Sequence, residues 1–122
     1  MKELQILGFN SVDNDAKAAS LQLTDKNGIQ NVNILIGDHE MGMLGLALNG
    51  AKTQRPTTYD LFKSLCESAG YAIKAVLIYN LKNGIFFSKL LIKDADGKNL
   101  EFESSVSDGI NIATIFKVQI LI

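Results

Sequence analysis

The dipeptide Asn83-Gly84 stands between two apolar runs, Ala72 to Leu81 and Ile85 to Lys93. Both of its residues tolerate positive φ, which the tight two-residue turns of β-hairpins demand. Asn27-Gly28 and Asp96-Gly97 carry the same signal. Three such turns commit much of the chain to antiparallel pairing. Strands are expected over Leu4 to Phe9, around Leu21 and Leu23 (with Ala19), over Val32 to Ile36, over the two runs just named, over Leu100 to Glu103, and at Val118, Ile120 and Ile122. Asn10 to Lys17 reads as a polar turn region. Apolar residues on both faces of the Ile85 to Lys93 run predict central strands covered on two sides.

Three segments interrupt this pattern with helical signals. Asp38 is the expected N-cap of a helix running to about Asn49, with Gly50 as its stop. Met41, Leu44 and Leu48 share one face, and Met43, Leu46 and Ala47 cover much of the rest, which suits a buried or interface helix. A second helix ends at Gly70. Leu61, Phe62, Leu65, Cys66 and Ala69 form its expected core stripe, opposite Lys63, Ser64, Glu67 and Ser68. Ser104 to Asp108 is rich in capping residues, but the Gly109 to Ala113 segment after it has poor helical propensity. The expected fold class is α+β: one domain over residues 1–122, with a mixed, mostly antiparallel sheet and about three helices.

Composition restricts the function classes. Apolar residues make up 47% of the 122 positions and charged residues 20%, with a net charge of −1. A chain of this length buries roughly 65% of its unfolded surface. The near-zero charge gives no long-range attraction for polyanions, so tight, general nucleic-acid binding is not expected and only a local basic patch is open. A single cysteine, Cys66, excludes an internal disulfide and a cysteine-rich zinc site. On the apolar side of its helix it reads as a buried, inert thiol. Met1-Lys2-Glu3 leads into a strand pattern rather than a signal segment, and no apolar run reaches membrane-spanning length. The chain reads as cytoplasmic, with no membrane partner. His39, the single histidine, lies in a first helical turn and reads as solvated.

The stretch Gln54-Arg55-Pro56-Thr57-Thr58-Tyr59-Asp60-Leu61 holds the only proline. Pro56 pushes Arg55 away from helical backbone. Thr57 and Asp60 have the spacing of a capping box, and an acid in the first turn suits the helix dipole. Capping explains both residues fully. It does not explain a guanidinium at position 55, which points to a functional or interface role for Arg55.

Three segments together resemble the bacterial and plant bifunctional nuclease domain. Ile36-Gly37-Asp38-His39-Glu40 is similar to that family's IGxxE, Arg55-Pro56-Thr57-Thr58-Tyr59-Asp60-Leu61 to its RPxTHDL, and Ser107-Asp108 with Gly109-Ile110 to its RPSDAI. The resemblance implies an α+β domain of the family's own type, with a short helix after Ser104 to Asp108. It also implies homo-oligomers and a weak nuclease activity on DNA and RNA. The chain departs from the pattern twice: the family's histidine is Tyr59 here, and its Arg-Pro is Ser105-Val106. Phosphodiester cleavage needs charge stabilisation from metal or cationic groups, so these departures bear directly on catalysis.

The resemblance carries Glu40, Arg55, Thr58, Asp60, Ser107 and Asp108 onto this chain. If the three segments converge, Glu40, Asp60 and Asp108 are a candidate ligand set for Mg²⁺ or Mn²⁺. Arg55, Asp60 and Asp108 become the catalytic candidates, and Arg55, Thr58, Tyr59 and Ser107 the substrate-binding ones. The competing reading makes all three segments helix entrances, with Arg55 bridging Asp60 and Asp108 as a structural ion pair. It yields a non-catalytic, homo-oligomeric binding or regulatory module that has lost the site.

Overall fold

The computed structural model describes residues 1–11 and 18–122. The elements are β1 (Glu3–Ser11), β2 (Ala18–Asp25), β3 (Asn31–Gly37), α1 (Asp38–Leu48), α2 (Thr58–Ala69), β4 (Ala72–Lys82), β5 (Ile85–Lys93), β6 (Asn99–Ser105), α3 (Val106–Phe116) and β7 (Gln119–Leu121). The α+β expectation holds. Most of the expected Asn10 to Lys17 turn lies outside the described residues, and Asn10 and Ser11 belong to β1.

The strands form one seven-stranded sheet in the order β3-β2-β1-β7-β4-β5-β6. Two antiparallel meanders, β1–β3 and β4–β6, are joined by β7, which runs antiparallel to β1 and parallel to β4. Asn83 and Gly84 both have positive φ, 54° and 78°, as a two-residue hairpin turn requires. The other two turns are longer than expected. Asp25 to Gln30 and Asp94 to Lys98 each close through two backbone hydrogen bonds, and only the glycine of each dipeptide is left-handed.

α2 begins with a complete capping box. Thr57 Oγ1 accepts from the Asp60 amide at 3.2 Å, and the Asp60 carboxylate accepts from the Thr57 amide at 2.9 Å. Gly70, at φ 78°, ends the helix. Its buried side is not the expected stripe. Tyr59 and Cys66 are buried and Phe62 packs against the core, while Leu61 and Leu65 are two-thirds exposed. The helix is rotated to bury its aromatic residues against α3, where Phe62 meets Phe116 edge-on with centroids 6.0 Å apart.

α1 is capped by Gly37 rather than Asp38, which is the first helical residue. The outer face of β4 and β5 is also more open than expected: Tyr79 and Ile85 are exposed.

α3 is an eleven-residue helix, longer than its propensity suggests. Ser105 caps it by accepting from the Asp108 amide at 3.2 Å. Gly109 through Ala113 are all buried, so tertiary packing supplies what local preference lacks. A Cβ on Gly109 would lie 2.9 Å from Val76 Cγ1 and 3.2 Å from the hydroxyls of Ser88 and Ser104. Glycine is what lets α3 lie this close to β4, β5 and β6. Among the described residues no helix is long and apolar enough to cross a membrane.

Three substitutions test these local causes. Gly109→Ala forces β4 and α3 apart and is expected to lower unfolding free energy by about 1–3 kcal/mol. Gly42→Ala, on an exposed turn of α1 where a new Cβ meets nothing within 4 Å, is expected to raise it by about 0.5–1 kcal/mol. Thr57→Ala removes half of the capping box and is expected to cost about 1 kcal/mol. Denaturant titration of the three variants checks all of these values.

Candidate functional site

The three helices start from different places in the sheet. α1 leaves edge strand β3, α3 leaves the opposite edge strand β6, and α2 follows the connection that contains Arg55 and Pro56. Their first turns nevertheless meet. One cleft of about 960 Å³ is lined by His39 and Glu40 of α1, by Arg55, Thr57, Thr58 and Tyr59 at the entry to α2, and by Ser105 and Asp108 at the start of α3. Met43, Phe62, Leu90, Phe102 and Ile112 form its apolar side.

A hydrogen bond ties the α2 start to the α3 start. Tyr59 donates its hydroxyl to Asp108 Oδ1 at 2.6 Å, across 49 positions of sequence. Tyr59 is buried, and burial pushes its phenol well above the usual tyrosine range. The accepting Asp108 carboxylate and the nearby charge of Glu40 push it the same way. Tyr59 is therefore a fixed donor at neutral pH and not a proton shuttle.

Asn111 ties α1 to α3. Its side chain is fully buried, and its Nδ2 donates to the Glu40 and Ser107 carbonyls, both at 3.2 Å. Its Oδ1 has no partner. Reversing the amide would face an oxygen toward two carbonyls, so the hydrogen bonds fix this orientation. Sequence reading missed Asn111. The available signal was an amide between Ile110 and Ile112 on a helix buried all round.

Glu40 is held by its own helix entrance. Its carboxylate folds back over Gly37, where a Cβ would collide with Glu40 Oε2. The glycine of the first motif thus makes room for the acid that follows it.

The other candidates divide. Arg55 and Thr58 are exposed at the rim, and the Thr53 hydroxyl donates to the Arg55 carbonyl, fixing the backbone there. Ser107 faces a neighbouring depression rather than this cleft. Asp60 does not line the cleft, because its carboxylate is turned back onto the Thr57 amide. One expectation is corrected here. Among the described residues Arg55 makes no ion pair, so it does not bridge Asp60 and Asp108. Nor are any three His, Cys, Asp or Glu side chains, among the described residues, placed to hold a metal ion. Within the proposed set of Glu40, Asp60 and Asp108, Asp60 serves as a cap and Asp108 accepts from Tyr59. His39 is exposed on the rim, in keeping with its solvated reading.

The family model of the bifunctional nuclease domain matches residues 21–122. An uncharacterised protein of Mycobacterium tuberculosis is 29% identical over 113 residues, covering 93% of this chain and 66% of the relative. Bifunctional nuclease 1 of rice (Oryza sativa subsp. japonica) is 32% identical over 80 residues, or 64% of this chain and 24% of that protein. Bifunctional nuclease 2 of Arabidopsis thaliana is 27% identical over 105 residues, or 84% of this chain and 32% of that protein. The chain thus spans about two-thirds of the mycobacterial relative and a third or less of the plant ones. The family match runs from β2 to the last residue and takes in all three helix starts and the cleft between them, so this chain belongs to the bifunctional nuclease domain family.

Proposed function

We propose that the cleft binds phosphodiesters of DNA or RNA and hydrolyses them slowly. The observation that carries this reading is the meeting of three helix starts that presents Arg55, Glu40 and Asp108 to one space. A guanidinium without an ionic partner is free to take two phosphate oxygens side by side and to offset the charge that grows in the transition state. Glu40 and Asp108 are the carboxylates available to activate water. Tyr59 orients Asp108 and remains protonated. Near neutral pH it cannot do the proton transfer that the family's histidine could. Slow turnover follows from that replacement. It follows also from Ser105, which caps α3 where the family has an arginine-containing segment.

A second reading is a non-catalytic homo-oligomeric binding or regulatory module. Two observations favour it. The Tyr59–Asp108 bond occupies the carboxylate that hydrolysis would use. Leu61 and Leu65 leave an apolar strip on the outer side of α2, open to a second copy of the chain. Either reading suits a cytoplasmic protein, in which an unpaired, buried Cys66 stays reduced.

Incubation of the purified protein with single-stranded DNA and RNA separates the two. Arms with Mg²⁺, with Mn²⁺ and with chelator test dependence on divalent cations. The wild type is expected to cleave slowly, and Arg55→Ala to cleave about 10-fold or more slower. Equal background in both would leave the non-catalytic reading standing. Tyr59→His is expected to raise the rate and to add a limb to the pH–rate profile near about pH 6.5, where imidazole titrates. The wild-type profile should lack that limb, because its phenol is shifted away from neutrality rather than toward it. A wild-type limb that persists in Tyr59→Phe would remove the proposed role of the tyrosine.

A further inference from the structure

Phe102 is the unexplained residue of the cleft. It lies on β6, the edge strand of the sheet, paired with Leu90 of β5. Leu90 is buried at 4% exposure, while Phe102 is 53% exposed although it points to the same side. No strand lies beyond β6 to cover it, and among the described residues it stacks on no other ring. Its neighbour Glu103 points to the opposite face, where its carboxylate accepts from the Tyr79 hydroxyl at 3.0 Å. The acid beside Phe102 is therefore directed away from whatever rests on the ring.

We infer that Phe102 is a stacking platform for one unpaired base of a single-stranded nucleic acid whose phosphate is held by Arg55. The inference rests on the phosphodiester reading of the cleft and adds the base that accompanies the phosphate. The same cleft carries one cation that makes no ion pair among the described residues and one half-exposed aromatic ring. A nucleotide meets both needs, with a charged end for the guanidinium and a flat apolar face for the phenyl ring. Met43 and Ile112 line the same cleft and add to its apolar surface. A paired base in a duplex has its faces covered by its neighbours and cannot lie on Phe102 without being flipped out. The platform thus selects single strands over duplexes and is indifferent to base identity, because every base has a π-face.

The test is a two-by-two binding cycle at low salt, read by fluorescence anisotropy. A labelled oligothymidylate and an abasic oligonucleotide of equal length are each titrated with wild type and with Phe102→Ala. For the oligothymidylate, Phe102→Ala is expected to weaken binding about 10-fold or more. For the abasic strand the two proteins are expected to bind alike, and Phe102→Tyr is expected to bind both strands as wild type does. Loss of affinity by the same factor on both strands would overturn the inference, since the ring would then act on the protein and not on a base. Equal binding of the oligothymidylate by wild type and Phe102→Ala would overturn it as well. Wild type that binds neither strand would remove the phosphodiester reading itself, a failure distinct from a ring that makes no difference. The exposure of Phe102 makes misfolding of the variants a minor concern, and circular dichroism of each provides the control.

Discussion

The close approach of α3 to the sheet sets the position of everything else in the cleft. Gly109 lies against Val76, Ser88 and Ser104 with no room for a side chain. Ser88, wholly buried, donates to the Ser104 carbonyl at 2.9 Å, locking β5 to β6 directly beneath the helix start. With α3 seated there, its first turn becomes the anchor for the other two helices. Asn111 takes the Glu40 carbonyl of α1, and Asp108 takes the Tyr59 hydroxyl of α2. The cleft is thus assembled by two long-range hydrogen bonds that share one buried helix. A helix of poor intrinsic propensity can play this part because its stability comes from burial.

What the sequence revealed depended on how local the cause was. Asn83-Gly84 was legible because the two residues dictate their own turn. Thr57 and Asp60 were legible because a capping box is completed within four residues. The length of α3 was not, since Gly109, Ile110 and Ile112 earn their helical backbone from contacts with strands far away in sequence. The rotation of α2 was hidden for the same reason. Periodicity favoured Leu61 and Leu65 as core, but the partners that decide are Phe116 on α3 and Asp108 at its start. The site itself was half legible. Its three motifs marked the helix starts correctly, and nothing in them distinguished Asp60, which turns inward to its own helix, from Asp108, which faces the cleft.

Tyr59 shows how one substitution can keep a fold and change its chemistry. The phenol at this position reaches Asp108 and is buried between α2 and α3. What it gives up is titration near neutrality. The same burial and carboxylate contact that make the hydrogen bond strong hold the proton on the oxygen. Structure and proton transfer place opposite demands on this residue, and in this chain structure has the upper hand.

The charge balance of the cleft follows the same logic. Glu40 and Asp108 face inward, Arg55 stands alone at the rim, and the chain as a whole carries a net charge of −1. Such a surface cannot draw a polyanion from a distance, so binding must come from contacts made after encounter. Desolvated contacts of that kind lie on the apolar wall formed by Met43, Phe62, Phe102 and Ile112. On the phosphodiester reading proposed above, a site that relies on one guanidinium and an apolar wall would release few counterions, and its affinity would depend only weakly on salt. A net charge of −1 is therefore compatible with the proposed nucleic-acid ligand.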